Sequence, residues 1–293
     1  MFWGNEQFDF FEHILFKALG QPVDVIDTQF LSGGDINTAA RIFSSEGMFF
    51  VKWNHAEEPD LFECEVQGLE ALRQTGTLTI PRVIDVGQHL DKSYLILEYI
   101  DSALGKPTYW PELGRQLARI HAHTQPVFGF LQDNYIGTLI QNNTPMDNGI
   151  DFFFERRLLP MAGLAMYNQL LSKPMYDRFF RLKDLLPDIL PDERPALIHG
   201  DLWSGNVMID AEGHPALIDP AVFYGLREAE IAFTKLFGGF DERFYASYQE
   251  MFPLAGGFDE RVPVYNLYPL LVHLNLFGTG YLSGVEKVLK RFT

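Results

Sequence analysis

His199-Gly200-Asp201-Leu202-Trp203-Ser204-Gly205-Asn206, followed by Leu217-Ile218-Asp219-Pro220, carries the strongest chemical signal in this chain. Short apolar stretches at 197–199, 207–209 and 216–218 have the composition of β-pieces and flank the polar residues. Loops held by such pieces can bring Asp201, Asn206 and Asp219 together. A protein that transfers a phosphoryl group mainly positions its reactants and neutralises charge, so it needs a carboxylate to orient a hydroxyl and oxygen ligands for Mg²⁺. Asp201 fits the first task, and Asn206 with Asp219 fits the second. The plainer alternative, loop turns and caps, would leave the three residues without a shared task.

Asp201 and Asn206 are five positions apart, the separation of Asp and Asn in the protein-kinase catalytic loop, and Asp219 heads a segment resembling the metal-binding Asp-Phe-Gly. Together, HGDLWSGN, IDPAVFYG and REAE resemble the fructosamine kinase (ketosamine 3-kinase) family, within the wider aminoglycoside-phosphotransferase-like group. The resemblance covers most of the chain. It implies ATP and Mg²⁺ as cofactors, Asp201 as the catalytic carboxylate and Asn206 and Asp219 as metal ligands. The acceptor it implies is a ketosamine phosphorylated at its 3-hydroxyl, free or carried on a protein lysine.

Upstream, Gly33 and Gly34 lie between two predicted strands, where glycine lets backbone N–H groups approach phosphate oxygens. Phe49-Phe50-Val51-Lys52 resembles the strand that carries the phosphate-contacting lysine of kinases. A glutamate on the following helix should hold Lys52. Glu63, Glu65 and Glu70 compete on periodicity, and the family's Phe-x-x-Glu pattern in Phe62-Glu63-Cys64-Glu65 selects Glu65. Tyr94 to Ile100 reads as an apolar strand ending where kinase folds bind adenine through backbone groups, with Glu98 and Ile100 as the implied contacts.

Departures from the protein-kinase pattern shape the acceptor. Gly200 stands where an arginine would read a phosphorylated activation loop, and Pro220 replaces the phenylalanine after the metal-binding aspartate. Only seven residues separate Asp219 from Arg227, where a helix is predicted to begin, so no peptide-docking segment fits. A small acceptor follows. Trp203, two residues after Asp201, offers a flat face to a sugar or a cation, or else packs its own loop. Arg157, in the family's aromatic-then-Arg-Leu helix, faces either the substrate or a surface ion pair. Tyr224 belongs to the loop after the metal site and is a further substrate candidate. Glu230 matches an acidic residue that braces the catalytic loop, His199 reads as a structural hydrogen-bonder, and His121 reads as packing.

The fold these patterns predict is α+β and bilobal, protein-kinase-like. Residues 1–100 form a nucleotide-binding lobe with a helix at 6–19, a meander over 23–32, 36–45 and 47–53, a helix at 60–74 and strands at 80–86 and 93–99. Residues 101–293 form a mostly helical catalytic and substrate-binding lobe, with helices expected at 109–124, 150–171, 173–186, 227–237, 242–252, 262–277 and 281–292.

With 293 residues, 47% of them apolar, the chain can bury a large core. Its net charge of −16 disfavours nucleic acid and anionic membrane partners and suits a cationic acceptor. The same charge requires fixed local positive charge wherever ATP binds. A single cysteine, Cys64, excludes an internal disulfide. No apolar run approaches the ~20 residues of a membrane span, and residues 1–9 lack a secretory pattern, so a cytoplasmic location is expected. Kinases of other amino-alcohols, such as aminoglycosides or choline, would share every catalytic residue. A non-catalytic nucleotide-binding module would not need all of Lys52, Asp201, Asn206 and Asp219.

Overall fold

A computed structural model describes residues 3–31, 37–55 and 60–293, with side chains from Phe8 onward. The glycine pair Gly33-Gly34 lies outside the described residues.

The chain begins with helix α1 (Trp3–Leu19), and five strands then form one antiparallel sheet: β1 (Val25–Leu31), β2 (Thr38–Ser44), β3 (Gly47–His55), β4 (Val83–His89) and β5 (Lys92–Glu98), in the order β1-β2-β3-β5-β4. Alternation along β3 buries Phe49, Val51 and Trp53 toward α1, where they meet Phe11, Ile14 and Leu15. The expected strand at 80–86 starts only at Val83, because Thr79 is drawn off to pair with Ala216. Helix α2 (Leu61–Arg73) turns Leu61, Phe62, Leu69 and Leu72 inward, and these join the main core rather than the α1 cluster. The sheet region is thus sealed to the rest of the molecule through α2. Gly68 makes that approach possible, since a Cβ there would lie 3.2 Å from Val222 and 3.4 Å from Pro220.

After β5 the structure is mostly helical: α3 (Tyr109–Ala122), α4 (Gly149–Phe152), α5 (Leu159–Tyr167), α6 (Lys173–Ile189), α7 (Arg227–Thr234), α8 (Glu242–Met251), α9 (Phe258–Tyr265), α10 (Leu267–Phe277) and α11 (Leu282–Phe292). Two expected helices are broken. The one expected at 150–171 contains a π-helical segment, Phe153–Leu158, between α4 and α5, and the one expected at 262–277 divides into α9 and α10 around Asn266. Three pairs of short antiparallel strands complete the fold: β6 (Asn134–Ile136) with β7 (Leu139–Gln141), β8 (Ala196–Ile198) with β11 (Phe223–Gly225), and β9 (Val207–Ile209) with β10 (Pro215–Leu217). The β8/β11 pair and the β9/β10 hairpin hold the two polar loops together. Among the described residues no helix is long and apolar enough to cross a membrane.

Candidate active site

Asp201 stands just past β8, Asn206 ends a single 3₁₀ turn (Ser204–Asn206), and Asp219 follows β10. Asn206 Nδ2 donates to the Asp201 backbone oxygen at 2.8 Å and to its carboxylate Oδ2 at 2.9 Å. With both amide hydrogens used this way, the side-chain oxygen of Asn206 is its remaining donor to a cation. Asp219 sits at φ +54°, a left-handed conformation uncommon for a residue with a side chain. Strain of this kind persists where the surroundings fix it, and here β10 and the buried Pro220-Ala221-Val222 segment do so.

Lys52 points from β3 into the same space. Its Nζ donates to Glu65 Oε1 at 2.9 Å and to Asp219 Oδ1 at 2.6 Å. Burial opposes its charge, but Asp219 and Glu65 outweigh burial and hold the lysine above its ordinary value, so it stays an ammonium. Of the three competing glutamates, Glu65 is the one that meets Lys52, while Glu70 turns to Arg73.

Asp201 is surrounded by groups that disfavour its ionised form. Burial, together with the nearby charges of Asp219 and Glu230, raises its carboxyl to about 7 against the opposing hydrogen bond from Asn206. Glu230 braces the loop from α7: its two oxygens accept from the Gly200 N–H at 2.7 Å and the His199 N–H at 3.1 Å, and His121 Nε2 lies 2.8 Å away. His199 Nε2 donates to the Ile218 carbonyl at 2.9 Å, tying the two polar loops to each other. His121 is therefore more than packing, because its Nδ1 also meets the Tyr248 hydroxyl at 2.7 Å. Sequence periodicity placed it inward but could not show partners more than a hundred residues away.

Lys52, Glu65, Asp201, Asn206 and Asp219 line a cleft of about 520 Å³ that also contains Ala39, Phe50, Ile218, Trp203, His273 and Phe277. Its size is that of an ordinary small-ligand site. Trp203 lies over Gly205, where a Cβ would be 2.4 Å from the indole, and its ring meets Phe237 edge-on at 6.4 Å. Trp203 remains 36% exposed and lines the cleft.

Arg157 is not a surface residue: it is buried, with no carboxylate paired to it among the described residues, and its guanidinium lies 3.8 Å from the Phe223 ring centre. It donates to the Asn142 carbonyl at 2.5 Å and Asn143 Oδ1 at 2.6 Å, and burial lowers it to about 10. Tyr224 pairs with Leu197 across β11 and β8 and is not among the residues lining the cleft, because strand alternation sends Phe223 inward in its place. Glu98 is the last residue of β5 and Ile100 lies two residues beyond it, where the sheet gives way to helices.

The donor set fits Mg²⁺. A carboxylate and an amide oxygen are hard ligands suited to a small divalent cation that keeps several waters, and no cluster of three or more His, Cys, Asp or Glu occurs among the described residues to favour a softer metal.

Residues 8–293 match the family model described as fructosamine kinase. A probable ketoamine kinase of Enterococcus faecium is 40% identical over 278 residues, 94% of this chain and 96% of that protein. The chloroplastic protein-ribulosamine 3-kinase of Arabidopsis thaliana is 36% identical, over 92% of this chain and 83% of the plant protein. The crystal structure of a putative fructosamine-3-kinase from Haemophilus somnus superposes with a TM-score of 0.87 at 25% identity, covering 96% of both chains. With the lysine, the glutamate and the three polar loop residues assembled around one cleft, this chain belongs to the fructosamine kinase family.

Proposed function

We propose that this protein transfers the γ-phosphoryl group of ATP to a ketosamine, at the sugar's 3-hydroxyl. The observation that carries the proposal is the convergence of Asp201, Asn206, Asp219 and the Lys52–Glu65 pair on one cleft. Residues 1–100 act as the nucleotide-binding lobe and residues 101–293 as the catalytic and acceptor-binding lobe, with Glu98 and Ile100 offering backbone groups to adenine at their junction.

Lys52, fixed by Glu65, supplies the fixed positive charge that a chain of net charge −16 must bring to a triphosphate. Gly33 and Gly34 contribute backbone N–H groups to the same phosphates. Asn206 and Asp219 would hold Mg²⁺, which when bound neutralises phosphate oxygens and the charge of the leaving group. Asp201 accepts a hydrogen bond from the acceptor hydroxyl and takes up its proton as the oxygen bonds to the γ-phosphorus. The bond from that phosphorus to the bridging oxygen breaks, and ADP departs. Asn206 keeps the Asp201 carboxylate aimed by donating to it.

On the acceptor side, Trp203 suits the C–H face of a sugar or a protonated amine. The amine can carry any substituent that extends out through the open cleft, including the side chain of a protein lysine. A panel of fructosyl-, ribulosyl- and erythrulosyl-amines, aminoglycosides and choline tests the acceptor class through ATP consumption. Turnover confined to the ketosamines is expected, and turnover with aminoglycosides or choline alone would contradict the proposal.

A further inference from the structure

Asp201 borders two spaces. One is the cleft; the other is a chamber of about 40 Å³ reached past Ile136, Asp201, Val272 and His273, which line both. The walls of the chamber are interior residues. Phe152, Phe153 and Tyr265 are almost inaccessible, Phe223 and Tyr268 nearly so, and all belong to the main core. The chamber is therefore an inward extension of the cleft at Asp201.

Its polar groups are nearly all engaged. Tyr265 donates to Glu228 at 3.1 Å, Tyr268 donates to Gln141 at 2.7 Å, and both Glu230 oxygens are occupied. Arg157 is the exception. It lines the chamber, and its Nε–H is buried without an acceptor, although its other nitrogens are bonded. A buried donor left unmade is costly, and a ligand oxygen would relieve it.

We infer that this chamber receives the terminal carbons of the acceptor sugar, those beyond the phosphorylated hydroxyl, and so sets the length of ketosamine that is accepted. The inference rests on the proposed ketosamine acceptor. With the 3-hydroxyl at Asp201, the amine end carries a substituent of open size and has to point out through the cleft. The other end of the sugar then points toward the chamber. A space of this size holds about three water-sized groups. That is room for one or two hydroxylated carbons, whose oxygen would accept from Arg157 Nε, but not for a second sugar ring.

Two variants test this. Ala229→Leu, on α7 at the chamber wall, narrows it, and Phe233→Leu, also on that wall, widens it. The readout is kcat/KM with the four-, five- and six-carbon ketosamines of one amine, and with a six-carbon ketosamine bearing a second sugar on its 4-hydroxyl. The wild-type chain is expected to prefer five carbons to four or six and to reject the disaccharide. Ala229→Leu should lower the five- to four-carbon ratio about tenfold, and Phe233→Leu should raise the six- to five-carbon ratio. If Ala229→Leu does not fold, the six-carbon gain in Phe233→Leu decides the matter alone. Unchanged length ratios in the folded variants would overturn the inference and leave the ketosamine assignment standing. Wild-type turnover with none of the ketosamines would overturn the acceptor class and this inference with it.

Discussion

Gly200 sits at φ +85°, and a Cβ built on it would lie 2.0 Å from the Ala221 carbonyl oxygen. The position that carries an arginine in protein kinases cannot carry any side chain here, because the loop after Asp219 is pressed against it. Replacing Gly200 with alanine is expected to destabilise the protein by at least about 2 kcal/mol and to displace Asp201; urea titration of the variant measures it. A change within about 0.5 kcal/mol would mean that the two loops are not packed this closely. At this scale the sequence was partly legible. The identities of Asp201, Asn206 and Asp219 and their spacing announced a shared task, and the choice of Glu65 over Glu63 and Glu70 came from the family pattern and matches the ion pair with Lys52. The surroundings of Arg157 and Tyr224 were not legible. A buried arginine held by two asparagine groups and aromatic faces leaves no periodic mark, and a three-residue strand gives too few positions to tell which side chain turns inward.

Among the elements, α7 does the most to fix the site, through residues that face three ways. Glu230 reaches the catalytic loop. Arg227 pairs with Glu193 at 2.8 Å and donates to the Pro253 carbonyl at 2.7 Å. Glu228, fully buried, takes two bonds from Arg261 of α9, at 2.9 and 2.8 Å, and one from Tyr265. Removing one partner of a buried pair strands the other, which typically costs about 3–5 kcal/mol. Glu228→Ala should therefore lose about that much stability, and Glu228→Gln less, by thermal or urea unfolding; equal, small losses would show that Arg261 finds water instead. The REAE segment was recognisable as a family signature, but its pairings depend on Arg261, Glu193 and Tyr248, which no local pattern links to it. The same limit hid β6, β7 and β11, each three residues long, and the π-helical turn at Phe153–Leu158. The longer helices α1, α2, α3, α6 and α11 follow from apolar spacing over three or more turns, where periodicity has enough positions to be clear.

Across the whole molecule, the polar loops, the sheet and the helical part are joined by buried titratable groups, and this makes stability depend on pH. His199 is buried and held below its ordinary 6.5, chiefly because burial disfavours its charged form. Between that lowered value and 6.5 the unfolded chain binds more protons than the folded one, so stability rises with pH across the window and falls on acidification. Glu230 acts in the same direction lower down. Burial alone would raise its carboxyl, but the hydrogen bonds from His121 and the Gly200 N–H hold it below its ordinary 4.5. Asp201, raised from 3.8 to about 7, opposes this between those values, so His199 shows as a difference between variants: His199→Gln should raise the unfolding free energy at pH 5 relative to that at pH 7, compared with the wild type. A variant as pH-sensitive as the wild type would assign the effect elsewhere. Function depends on the same assembly, since Asp201 is positioned by α7, by the β9/β10 hairpin and by its own loop at once. The most direct test of its role is phosphorus NMR of a fructosyl-amine incubated with ATP and Mg²⁺, using the wild-type chain and Asp201→Asn. The wild type should place phosphate on the 3-hydroxyl. The variant should still bind ATP yet turn over about 10²–10⁴-fold more slowly, the range of a lost general base. Near-normal phosphorylation by Asp201→Asn, or phosphate on a different class of acceptor, would contradict the account.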